Sequence, residues 1–161
     1  MKGAPLVVLI GPPGAGKTRL GKRVARILGV PFIDTDRRIV AGHGPIADIF
    51  AQLGEPHFRA IERSVVAKAL TESAVVSLGG GAILDRETQA DLATHRVAMI
   101  TVALRIAGGK RPLVRGVEDW SALVEARRAT YERLAARSWD TSDRPLDGIA
   151  VEIADWVKEN E

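Results

Sequence analysis

The sequence predicts an α/β protein in three layers, a parallel sheet of about five strands with helices on both faces. Three observations predict it. Short, wholly apolar runs alternate with longer amphipathic stretches along the 161 residues. The first apolar run breaks into glycines and re-emerges as a helical segment. The length fits one domain, 1–161, large enough to bury a core without covalent staples.

Leu6 to Ile10 is an unbroken apolar run, the pattern of a central parallel strand buried on both faces. Gly11 to Thr18 then reads G-P-P-G-A-G-K-T, matching the spacing G-x-x-x-x-G-K-[ST] between strand and helix. The glycines let the backbone turn its N–H groups inward, where they and the positive end of the next helix converge on one anion, the β-phosphate of a nucleotide. Lys17 suits the space between the β- and γ-phosphates, and the Thr18 hydroxyl suits the Mg²⁺ that bridges them. The segment reads as a P-loop and the fold as a P-loop NTPase.

Lys17 to Leu28 carries Leu20, Val24, Ile27 and Leu28 on one face and ends at Gly29. Pro31-Phe32-Ile33 predicts a second strand that finishes in Asp34-Thr35-Asp36. On an extended segment the two aspartates project from one face at the ligand-collecting edge of the sheet. Asp36 also suits the N-cap of the helix that follows, and both readings stay open. Pro45 starts a helix from Ile46 to Leu53, and a further helix runs from Glu55 to Leu70 with Phe58, Ile61, Val65, Val66 and Ala69 inward. Arg59 on it has Glu62 and Glu55 as neighbours for a surface ion pair. Ala74 to Leu78 is a third strand ending in Gly79-Gly80-Gly81, a turn where backbone passes close to a neighbour or a ligand. Arg86 to Ala93 predicts a helix and Val97 to Val102 the fourth strand. Residues 103–116 carry Arg105, Lys110, Arg111 and Arg115 without an acid, while the remaining chain is near neutral against a net charge of +3. With Gly108-Gly109 as a joint and Arg111-Pro112 as a stiff element, they predict a mobile basic lid over an anion. Asp119 suits the cap of a helix with Leu123, Ala126 and Leu134 inward; Trp139-Asp140-Thr141 is the last strand and Leu146 to Val157 the closing helix.

The P-loop, D-T-D, D-I-F, G-E-P-H-F-R, L-G-G-G-A and K-R-P-L, in this order over nearly the whole length, resemble shikimate kinase. The resemblance implies a nucleoside-monophosphate-kinase-like fold with a lid at about 103–116 and a substrate-binding region at about 34–62. It implies transfer of the ATP γ-phosphate to the 3-hydroxyl of shikimate, on the route to chorismate and the aromatic amino acids. Gly14, Ala15, Gly16, Lys17, Thr18 and Arg19 would hold the nucleotide, with Thr18 and Asp34 at Mg²⁺. Asp36 would bind the substrate hydroxyls. Arg59, and Arg127 in R-x-x-x-Y, would bind its carboxylate, beside the backbone of Gly79, Gly80 and Gly81. Arg111 would be the lid arginine, and Arg105, Arg144 and Pro145 would flank adenine. Nearby arginines are expected to lower the pKa of Asp36, leaving open whether it is a base or only positions substrate. A one-residue slip would select Arg128 in place of Arg127. The sequence departs from the family in a short approach between the fourth strand and Arg105.

The composition excludes other classes. No cysteine is present, so a disulfide framework or thiolate metal site is impossible, and a reducing cytoplasm is the expected setting. No apolar run approaches a membrane span, and Met1 to Pro5 leaves no room for a signal peptide. Aromatic residues are 4% of the chain, which argues against stacking on nucleic-acid bases. Shikimate and ATP are the expected partners, and a monomer the expected state. A related small-molecule kinase, such as a gluconate kinase, and a nucleotide-dependent regulatory or nucleic-acid-binding module are the rival readings.

Overall fold

The computed structural model describes residues 3–102 and 117–161, and of residues 117–120 the backbone alone. The expected lid at 103–116, with Arg105 and Arg111, lies outside the described residues. Five strands form one parallel sheet in the order β2 (Phe32–Asp34), β3 (Val75–Ser77), β1 (Val7–Ile10), β4 (Val97–Thr101), β5 (Arg137–Asp140). The chain leaves β1, passes over β3 to pair β2 on its far side, returns through β3 and then crosses to β4. β1 therefore lies where the strand order switches direction, the position at which open parallel sheets collect ligands.

All of β1 is buried because helices cover both faces. Val7 and Leu9 pack with Leu20 and Val24 of α1 (Lys17–Leu28) and with Ile149 and Ile153 of α7 (Leu146–Glu159). Val8 and Ile10 pack with Val66 of α4 (Glu55–Ala69), Leu92 of α5 (Arg86–Leu92) and Tyr131 of α6 (Val117–Leu134). A small third core joins Ile39 of α2 (Thr35–His43), Ile49 of α3 (Ile46–Leu53) and Phe58 of α4.

Several expectations are corrected. Ile27 is 42% exposed, since the inner stripe of α1 runs through Leu20, Gly21, Val24 and Ala25. Gly21 belongs there because a Cβ would stand 2.3 Å from the Phe32 ring. The helix after β2 starts at Thr35, and its cap is Asp34, not Asp36. The two aspartates therefore do not share one face of an extended strand: Asp34 ends β2 and Asp36 sits in the first turn of α2. The backbone of α6 begins at Val117, so Asp119 lies within its first turn. Ala126 faces solvent, and Tyr131 fills the core in its place. β5 starts two residues before the expected strand, at Arg137, since one face of this edge strand is exposed and only Trp139 is buried.

Gly11 carries the chain from β1 into the P-loop with φ 145°, and a Cβ on it would lie 2.1 Å from the carbonyl oxygen of Ile100. Backbone strain and a clash with immovable backbone add. Gly11→Ala is expected to lower the unfolding free energy by at least about 2 kcal/mol in urea titrations. An unchanged midpoint would refute the packing assigned here.

Candidate active site

The carboxyl ends of β2, β3 and β1 lie side by side, and each delivers one part of the site. Beyond β1 the backbone turns through Gly14 and Gly16, both at positive φ (80° and 93°), into α1. Lys17, the first residue of that helix, is buried and donates from Nζ to the carbonyls of Gly11 (2.8 Å) and Pro12 (3.0 Å). Burial pushes its ammonium down to about 8, against the opposing pull of Asp36 and Asp34. Ala15 is buried, and its carbonyl accepts from Thr141 Oγ1 (2.8 Å), tying the loop to the β5–α7 connection. Arg19 is exposed at the rim.

Thr18 Oγ1 donates to Asp34 Oδ2 at 2.9 Å. The other oxygen of Asp34 accepts the N–H groups of Asp36 (3.0 Å) and Arg37 (3.3 Å). One carboxylate thus caps α2 and holds the P-loop hydroxyl, which fixes Asp36 against the same edge. The pKa of Asp36 is raised above the usual aspartate range, first by burial and then by the like charge of Asp34; Lys17 and Arg59 oppose this without prevailing. The expected lowering by arginines is corrected, because the cost of withdrawing the carboxylate from water exceeds their attraction.

Beyond β3, Gly79, Gly80 and Gly81 each lie against a charged side chain. A Cβ on Gly79 would stand 2.5 Å from Asp36 Oδ1, on Gly80 3.4 Å from an Arg127 nitrogen, and on Gly81 2.7 Å from the Arg59 guanidinium. Arg59 donates to Glu62 Oε1 (2.7 Å), with Glu55 at 3.5 Å. The expected surface ion pair exists, but its inner partner Glu62 is only 4% exposed. Burial raises the pKa of Glu62, and the Arg59 hydrogen bond opposes the rise.

These groups enclose two adjoining hollows. One, of about 320 Å³, is lined by the P-loop, Asp34, Asp36 and Gly79-Gly80. The other, of about 640 Å³, is lined by Asp36, Phe50, Phe58, Arg59, Glu62 and Arg127 among others. Pro13, Asp36, Gly79 and Gly80 belong to both. Arg127 faces the larger hollow, whereas Arg128 is half-exposed and paired with Glu125 at 3.0 Å. Arg144 and Pro145 are exposed on the β5–α7 connection, Arg144 in an ion pair with Glu152. The next residue, Leu146, lies 4.0 Å from a Cβ built on Gly16, so that connection flanks the P-loop.

A sequence profile of shikimate kinase matches residues 13–158. The chain belongs to the shikimate kinase family. It is 44% identical to a shikimate kinase of Salinispora tropica, covering 94% of this chain and 96% of that one. It is also 44% identical to one from Thermobifida fusca, covering 96% and 95%. Its fold matches the shikimate kinase from Acinetobacter baumannii in complex with shikimate, with a TM-score of 0.88 and 28% identity over 99% of this chain and 95% of that one. It is an ATP-dependent kinase of this family.

Three buried residues in or beside the two hollows are not singled out for the site by the sequence. The sequence suggests Glu62 only as a surface partner of Arg59; its place on the inward stripe of α4 with Phe58 and Val66 is the available signal. Thr35 between the two aspartates and Tyr131, one turn beyond Arg127, are both fully buried.

The raised pKa of Asp36 means that the folded protein binds this proton more readily than the unfolded chain. Stability therefore falls as pH rises from the ordinary aspartate value through the raised one, and stays lower above it. Asp36→Asn is expected to melt higher than the parent at neutral pH, with the difference vanishing below the ordinary aspartate range. It should also lose nearly all turnover while still binding ATP. Calorimetry across pH checks the sign, and a melting point at or below that of the parent at neutral pH contradicts it.

Proposed function

We propose that this chain transfers the γ-phosphoryl group of ATP to the 3-hydroxyl of shikimate, with the triphosphate in the P-loop hollow and the acceptor in the larger one. The observation that carries the assignment is the shared wall: Asp36 lines both hollows, so a hydroxyl bound to it from one side faces a phosphate bound from the other. Arg59 and Arg127 reach the acceptor hollow from different helices, as two planar donors for one carboxylate. Phe50 and Phe58, 4.7 Å apart, offer an apolar wall to the ring.

Phosphoryl transfer asks the protein for alignment and charge. Lys17 supplies charge at the transferred group, and exchanges its two P-loop carbonyl bonds for phosphate oxygens. The acceptor oxygen forms its bond to γ-phosphorus as the bond to the β–γ bridging oxygen breaks, leaving ADP. Asp36, with its raised pKa, takes the hydroxyl proton. Gly79, Gly80 and Gly81 present backbone to the substrate without side chains.

The Thr18 hydroxyl and the Asp34 carboxylate, 2.9 Å apart, are hard oxygen donors beside the P-loop and fit Mg²⁺. No group of three or more carboxylate, histidine or cysteine ligands occurs among the described residues. A Mg²⁺ that keeps waters and shares phosphate oxygens needs only one or two protein ligands. Held by Thr18 and Asp34, the ion would supply positive charge against the phosphates.

Arg111 as the lid arginine, Arg105, Arg144 and Pro145 at the adenine, and Arg19 beside the phosphates complete the reading on the strength of their motifs. No helix among the described residues is long and apolar enough to cross a membrane. A monomer is part of the proposal, since one chain supplies every group named, and so is a cytoplasmic setting, suggested by the cysteine-free sequence.

A coupled ADP-release assay with MgATP and a panel of shikimate, gluconate and nucleoside monophosphates tests the assignment. Turnover is expected on shikimate alone. Arg59→Ala and Arg127→Ala should each raise KM for shikimate by about tenfold to a hundredfold with little change in KM for ATP, as for lost hydrogen bonds to a charged group. Turnover of gluconate or a nucleotide in preference to shikimate would overturn the assignment.

A further inference from the structure

The triple-glycine turn has no side chains with which to hold itself in place, yet three functional groups lie against it. Two buried hydroxyls hold it instead. Thr35, fully buried in the first turn of α2, donates from Oγ1 to the Ser77 carbonyl (3.3 Å) and accepts the N–H of Gly79 (3.3 Å). Tyr131, fully buried on α6, donates its phenol to the Gly80 carbonyl at 2.7 Å. Burial raises the pKa of that phenol, so it stays a donor, and the Arg127 guanidinium beside it opposes the rise.

We propose that Thr35 and Tyr131 are positioning residues for the acceptor hollow, a two-sided clamp that sets the Gly79–Gly81 turn and through it Asp36, Arg127 and Arg59. The inference rests on the assignment of that hollow to the phosphoryl acceptor. Thr35 acts where the turn leaves β3, beside Asp36. Tyr131 acts one peptide later and carries Arg127 one helical turn before it, so the same phenol sets both the backbone and the approach of the guanidinium. A turn displaced by a fraction of an ångström moves three groups at once, which is the scale on which alignment for phosphoryl transfer is lost. Neither hydroxyl bonds to the P-loop, so the clamp bears first on the acceptor hollow and reaches the nucleotide only through the wall that the two hollows share.

Tyr131→Phe keeps the ring and removes only the hydroxyl; Thr35→Val keeps the shape and removes only the hydrogen bonds; Thr35→Ser restores the oxygen. Steady-state kinetics on the purified enzyme should show KM for shikimate raised about five- to tenfold by Tyr131→Phe and by Thr35→Val, with KM for ATP within twofold of the parent. Thr35→Ser should recover most of the loss. The double variant should lose less than the product of the single effects, since both act on one element. Unchanged KM for shikimate in Tyr131→Phe, or KM for both substrates rising together, would overturn the clamp. So would failure of Thr35→Ser to rescue. Arg127→Ala run alongside separates the two layers: if it too leaves KM for shikimate unchanged, the assignment of the hollow fails; if it raises KM while Tyr131→Phe does not, only the clamp fails.

Discussion

The site depends on how closely a bare backbone can approach charged side chains. At Gly79, Gly80 and Gly81 the chain passes so near Asp36, Arg127 and Arg59 that a methyl group would fall 2.5 to 3.4 Å from each of them. These three side chains come from α2, α6 and α4, and all three meet at the turn. Its position follows from the sheet: β3 lies between β2, which delivers Asp34 and Asp36, and β1, which delivers the P-loop. Parallel pairing of these strands puts their carboxyl ends on one rim, so the P-loop, the acid pair and the larger hollow become neighbours without any long-range loop.

Charge balance is the second constraint. Lys17, Arg59 and Arg127 face Asp34, Asp36 and Glu62 in a partly buried space, and no member is free of the others. Burial pushes Lys17 toward its neutral form and Asp36 and Glu62 toward theirs, while the opposite charges hold each back. Three cations face three acids here, at the cost of withdrawing Lys17, Asp36 and Glu62 from water. Desolvation keeps the proton affinity of Asp36 above that of an ordinary aspartate.

Much of this was legible in the sequence where one physical cause dominates. Buried parallel strands are apolar throughout, so β1, β3 and β4 stand within a residue of their expected ends, and the P-loop spacing places the start of α1 at Lys17. Legibility failed where tertiary context decides. The inner face of α6 carries Arg127, which faces the larger hollow, and Tyr131, whose phenol bonds to the Gly80 carbonyl, and this breaks the apolar period that pointed to Ala126. Edge strand β5 buries one side chain of four and leaves little pattern to read. The choice of Asp34 over Asp36 as the cap turns on where β2 stops. The proton affinity of Asp36 depends on burial by elements distant in sequence, whereas the arginines that suggested the opposite shift are visible in the motifs.

The most direct test of the account is the kinetics of Gly79→Ala. The added methyl group can be accommodated only if Asp36 moves, and Asp36 lines both hollows. The account predicts a fall of about a hundredfold or more in kcat/KM for shikimate, with ADP affinity and melting temperature close to those of the parent. A Gly79→Ala enzyme that turns over shikimate as the parent does would contradict it.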